Sequence, residues 1–117
     1  MTEQEMKQRT KAFALRTIKL ASSVAKDFVG RRLGDQLLRS GTSIAANYRA
    51  ACRARSRAEF TYKLGLAEEE ADESAFWIEL MIDSGVLSAD RLTKLLSEAN
   101  ELTAILVASR RTSKRTH

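Results

Sequence analysis

The chain of 117 residues and 13.1 kDa has the size of one domain, and its 44% apolar and 30% charged residues suit a buried core under a soluble surface. No proline and five glycines are too few turn residues for a β-sandwich or barrel, one Cys excludes an intramolecular disulfide, and a single His at position 117 excludes most metal and His-dependent sites. A net charge of +5 and a pI near 9.7 favour a polyanionic partner, while the lack of a signal sequence or of an apolar run near about 18 residues predicts a cytoplasmic protein with no membrane partner.

A first helix is predicted from Glu3 to Asp27 or Phe28. Thr2 and Glu5 form a T-x-x-E capping box, in which each side chain satisfies the other's orphan amide. Phe13, Ala14, Thr17, Leu20, Ala21, Val24, Ala25 and Phe28 share one helical stripe, with Lys19, Ser22, Ser23 and Lys26 opposite and Leu15 off the stripe. Gly30 is expected to end this helix in the left-handed conformation.

The second helix is predicted over Arg32 to Ala54. Leu33, Leu37, Leu38, Gly41, Ile44, Ala45, Tyr48, Ala51 and Cys52 form its apolar face, and Arg32, Arg39, Arg49 and Arg53 lie opposite. Gly41 on the apolar face marks a place where a neighbouring helix comes close.

A second capping box, Ser56-Arg57-Ala58-Glu59, opens the third helix, which should end near Ser84 with Gly85 as its cap. Phe60, Leu64, Ala67, Ala71, Ala75, Ile78 and Ile82 form one stripe. Tyr62, Leu66, Phe76, Trp77 and Leu80 form another on the far side. A helix of a monomeric bundle needs only one apolar stripe, so the second predicts self-association through those five residues.

The fourth helix opens at Ser88, with Leu87 and Leu92 placed for a hydrophobic staple. Leu92, Leu95, Leu96, Ala99, Leu102, Thr103, Leu106 and Val107 face inward. Short links favour antiparallel neighbours, so the chain reads as one all-α, up-down-up-down four-helix bundle over residues 1–111, with a flexible basic tail at 112–117.

Charge is divided along the chain. Residues 1–58 hold 13 Lys/Arg against 4 Asp/Glu, and residues 59–109 hold 3 against 11. Arg49, Arg53 and Arg57 recur at i, i+4 and i+8 with Arg55 between; Ser56 breaks the helix, so the shared face is that of Arg49 and Arg53, which Arg39 and Arg32 extend. Arg110, Arg111, Lys114 and Arg115 close the chain. Arginine's planar fork suits phosphate, so these ten residues are candidate sequence-tolerant contacts to RNA or DNA. No aromatic residues interleave, which argues against base stacking. The alternative is that the arginines pair with Glu69, Glu70 or Glu73 of a neighbouring subunit.

Catalysis is not indicated. Glu68, Glu69, Glu70, Asp72 and Glu73 point around a helix rather than converging, and no Glu-x-x-His pair completes a di-iron site. Cys52 lies on an apolar face without a His or second Cys, as a buried structural thiol does. No glycine-rich phosphate loop or nucleophile elbow is present, and no metal or cofactor is implied.

The segment Asp35-Gln36-Leu37-Leu38-Arg39-Ser40-Gly41-Thr42-Ser43-Ile44-Ala45-Ala46-Asn47, with Arg55-Ser56 and Phe60, resembles the small bacterial four-helix bundle proteins encoded by intervening sequences of large-subunit ribosomal RNA genes. The accessory variability determinants of diversity-generating retroelements look like relatives. The family's Asp-Gln-Leu, Arg, Ser-Ile and Asn positions are present, and the resemblance runs from about Phe13 to Arg110. Where the family usually reads Ile-Ala-Glu-Gly after the Asn, this chain reads Tyr48-Arg49-Ala50-Ala51. The resemblance implies a ring-like homopentamer, a basic surface that binds nucleic acid, no enzymatic activity and, in the retroelement relatives, association with a reverse transcriptase.

Overall fold

The computed structural model describes residues 1–115, which form four helices: α1 (Glu3–Ser23), α2 (Phe28–Cys52), α3 (Arg57–Ser84) and α4 (Ala89–Arg115). Each packs antiparallel to the next in a bundle measuring 47 × 20 × 19 Å. α3 lies between α2 and α4, α1 packs mainly on α2 and only lightly on α4, and α1 and α3 are diagonal.

Local signals set most helix ends. The Thr2–Glu5 capping box forms in both directions. Ser56 Oγ accepts from the Glu59 amide at 3.1 Å and starts α3. Gly85 ends α3 at φ 75°, the one positive φ among the described residues.

The first link departs from the sequence expectation. α1 stops at Ser23, because the Asp27 carboxylate accepts from the Gly30 amide at 2.6 Å and starts α2 four residues earlier than predicted. Phe28 therefore belongs to α2 and is 68% exposed, not in the core stripe, and Ala25 is exposed as well. Gly30 is helical and buried, not a left-handed cap. Its role is close approach: a Cβ there would stand 3.0 Å from Val24 Cβ and from the Val24 carbonyl oxygen. α2 ends at Cys52, with Arg53 rather than Ala54 at its cap.

The other departure is at the carboxyl end. The predicted tail from residue 112 is helical as far as Arg115, and Ser113 is only 4% exposed. Its Oγ shares a 2.6 Å hydrogen bond with Thr61 Oγ1 of α3, which gives the last turn something to pack on. Thr116 and His117 lie outside the described residues.

Phe13, Leu37, Ile44, Leu64, Ile78, Met81, Leu92, Leu102 and Leu106 are fully buried and fill the centre. Ala67, Ala71 and Ala75 on α3 leave room for both neighbours. Buried hydroxyls find partners within this core: Thr10 donates to the Met6 carbonyl, Thr17 to that of Ala14, and Ser40 meets Ser74 at 2.8 Å across α2 and α3.

Candidate nucleic-acid interface

Antiparallel packing brings the amino ends of α1 and α3 to the same pole as the carboxyl ends of α2 and α4. Arg49 and Arg53 arrive on the last turn and cap of α2, Arg55 on the connecting loop, Arg57 at the start of α3, and Arg111, Lys114 and Arg115 on the last turns of α4; all seven are exposed. No acidic residue falls within 49–57 or 110–115, and the acids at this pole are those of the first turns, Glu3 and Glu5 on α1 and Glu59 on α3. Cations at the carboxyl ends of α2 and α4 also face the negative poles of those helices, which favours their placement by about 0.3–1 kcal/mol each.

Two hollows open at this pole. One, of about 340 Å³, is lined by Glu3, Cys52, Ser56, Arg57 and Phe60 among others. Arg57 also borders the second, of about 390 Å³, with Ala108, Ser109 and Thr112. Beside them, α1 and α2 enclose a larger groove of about 680 Å³, lined by Gln4, Lys7, Gln8 and Lys11 on one wall and by Ala45, Ala46, Arg49 and Arg53 on the other. Lys7 makes a 3.5 Å pair with Glu3.

Lys7 and Lys11 are not among the sequence-predicted contacts. Their i, i+4 spacing was visible, but only the packing of α1 on α2 shows that they face Arg49 and Arg53. Conversely, three predicted contacts stand apart from this pole or are already engaged. Arg32 lies at the opposite end, about 30 Å from Arg53 at 1.5 Å per helical residue, with its guanidinium 5.3 Å above the Phe28 ring. Arg39 is mid-helix and bonds Glu70 at 3.3 Å and also Glu73, clamping α2 to α3 within one chain. Arg110 sits at the pole but donates through Nε to Glu68 at 2.6 Å, an ion pair that holds its guanidinium above its usual pKa.

The second stripe of α3 lies on the surface. Tyr62 and Phe76 are 63% and 50% exposed, and Leu66, Trp77 and Leu80 are half-buried. Phe76 meets Trp77 edge-on at 5.2 Å, and Trp77 Nε1 donates to Glu73 at 3.2 Å. The patch thus has an acidic residue, Glu73, within it that is shared with Arg39.

Cys52 is half-buried, and burial, followed by the Glu3 carboxylate, pushes its thiol above the usual pKa. A nucleophile needs the reverse shift. Among the described residues no group of three His, Cys, Asp or Glu is placed to hold a metal ion, and no helix is long and apolar enough to cross a membrane.

Fold and charge together define an antiparallel four-helix bundle with a cationic pole. A family model described as 23S rRNA-intervening sequence protein matches residues 2–108, and the chain belongs to that family. It is similar to a crystal structure of a protein with unknown function from the S23 ribosomal protein family of Bacteroides thetaiotaomicron. The two share 33% identity and superpose with a TM-score of 0.87, covering 95% of this chain and 99% of the other. No curated protein matches the chain.

Proposed function

We propose that the protein is a non-enzymatic, oligomeric accessory protein that binds RNA or DNA through its basic pole, with little sequence preference. The observation that carries this reading is the gathering of Arg49, Arg53 and Arg55 with Lys7 and Lys11 at one end of the bundle, where no acidic side chain lies in the arginine-bearing segment. Phosphates would be neutralised several at a time, so affinity would fall steeply with salt. The exposed Tyr62 and Phe76, with Leu66, Trp77 and Leu80 beside them, support self-association through α3. The resemblance suggests a pentameric ring, which would repeat the basic pole and raise avidity. In the setting of the retroelement relatives, the nucleic acid would be presented to a reverse transcriptase. A cytoplasmic location suits all of these roles.

A second reading, an oligomeric protein-interaction scaffold with structural arginines, is favoured by Arg39 and Arg110, which are engaged by Glu70, Glu73 and Glu68 of their own chain. Fluorescence anisotropy with labelled RNA and duplex DNA over a salt series separates the two. A steep linear fall of log affinity with log salt is the expected result. Absence of binding at low salt by folded protein would leave the scaffold reading.

A further inference from the structure

We propose that the groove between α1 and α2 holds a single nucleic-acid strand, its phosphates running between the Lys7–Lys11 row and the Arg49–Arg53 row, rather than a duplex. This rests on the nucleic-acid reading above and adds both the site and the strandedness.

Each row is an i, i+4 pair, so its two cations are separated by about 6 Å along the helix axis. That is close to the distance between successive phosphates of an extended strand. The two rows form the facing walls of one groove, so a phosphate lying in it has cations on both sides. A duplex is about as wide as the bundle's 20 × 19 Å section, so it would touch only the rims. At about 680 Å³ the groove falls within the roughly 300–1,000 Å³ typical of small-ligand sites, which suits the backbone of two or three nucleotides.

The lining chemistry agrees. Lys11, Arg49 and Arg53 take part in no ion pair among the described residues, and the one partner of Lys7 is an exposed i, i+4 glutamate, a pairing weak enough to yield to phosphate. Ala45 and Ala46 offer only methyl groups, and no aromatic ring lines the groove. Bases are therefore not stacked, and the strand is gripped by its backbone with the bases turned outward. The Gln4 and Gln8 side chains provide amides that donate to phosphate and exchange hydrogen bonds with sugar hydroxyls.

The test is anisotropy of the full chain with labelled oligo(dT) and oligo(U), against a hairpin duplex carrying the same number of phosphates, over a salt series. Single strands should bind at least tenfold tighter than the duplex. With four cations engaged, log affinity should fall with log salt at a slope of about −3, and Lys11→Gln or Arg49→Gln should each move that slope towards zero by about 0.7. Lys94→Gln, on exposed α4 surface, should leave it unchanged. Circular dichroism melts check that each variant is folded. Duplex binding equal to single-strand binding overturns this inference and leaves the nucleic-acid reading standing. Single-strand binding insensitive to Lys11→Gln and Arg49→Gln, or equally sensitive to Lys94→Gln, also overturns it. Failure of both ligands to bind ends both readings.

Discussion

A Cβ on Gly41 would stand 2.5 Å from Cγ2 and 2.9 Å from Oγ1 of Thr17, so α2 presents bare backbone to α1 at this point. Thr17 has little freedom to retreat, because it is fully buried and its hydroxyl donates to the Ala14 carbonyl at 2.7 Å. Gly41→Ala gains about 1 kcal/mol of helix propensity but adds a methyl group where the core is closed, at a cost of about 1–3 kcal/mol. The steric term should win, lowering the urea midpoint. In a Thr17→Ala background the same change should cost less, and equal costs in both backgrounds would count against this contact as the cause.

Arg39 and Arg53 lie on the same polar side of α2 by periodicity but should respond oppositely to charge reversal. Arg39→Glu sets a third carboxylate beside Glu70 and Glu73. It should lower the melting temperature and leave nucleic-acid affinity within about twofold. Arg53→Glu, at an exposed helix cap, should barely alter the melt and cut affinity at low salt by about tenfold or more. Paired melting and anisotropy measurements decide this, and a loss of affinity in Arg39→Glu larger than in Arg53→Glu would contradict it.

The self-association proposed through the exposed rings on α3 predicts a change of mass in solution. Tyr62→Glu with Phe76→Glu removes apolar surface from an already acidic face and touches no buried residue. The double variant should keep its helical circular dichroism while its mass by light scattering falls to that of one chain. A mass that is the same in the double variant and the unmodified chain would contradict self-association through these rings.

Cys52 and Tyr48 link stability to alkaline pH. Burial raises both groups above their usual pKa values, Cys52 further through Glu3 and Tyr48 through its neighbour Cys52. Their protonated forms are thus favoured in the folded chain. That contribution is fully present below the unfolded thiol pKa of about 8.5 and is lost as pH rises through the folded values. The urea midpoint should therefore decline from about pH 8.5 upward. Cys52→Ala should flatten the first part of the decline and leave the later, tyrosine-linked part. An unaltered profile in Cys52→Ala would remove the thiol as its source.

The local signals are legible in the sequence alone. Thr2 with Glu5, Ser56 with Glu59, and Gly85 each act over three or four residues, and all three helix ends stand where those residues place them. At the first link apolar spacing alone carries the stripe on to Phe28, whereas the Asp27 carboxylate satisfies the Gly30 amide and starts a new helix. The burial of Ser113 has no local signal: the residues from Arg110 onward contain nothing apolar, and its hydroxyl partner, Thr61, is 52 positions away.

The candidate site divides along the same line. The cationic residues and their helical spacing are properties of the sequence, as are the four helices, because capping and periodic burial depend on near neighbours. Which of those cations remain available is decided by the antiparallel register. It places Glu70 and Glu73 under Arg39 and Glu68 under Arg110, and it sets Lys7 and Lys11 across a groove from Arg49 and Arg53. An ion pair or a groove wall is made by residues far apart in the chain, so it exists only once the helices have packed.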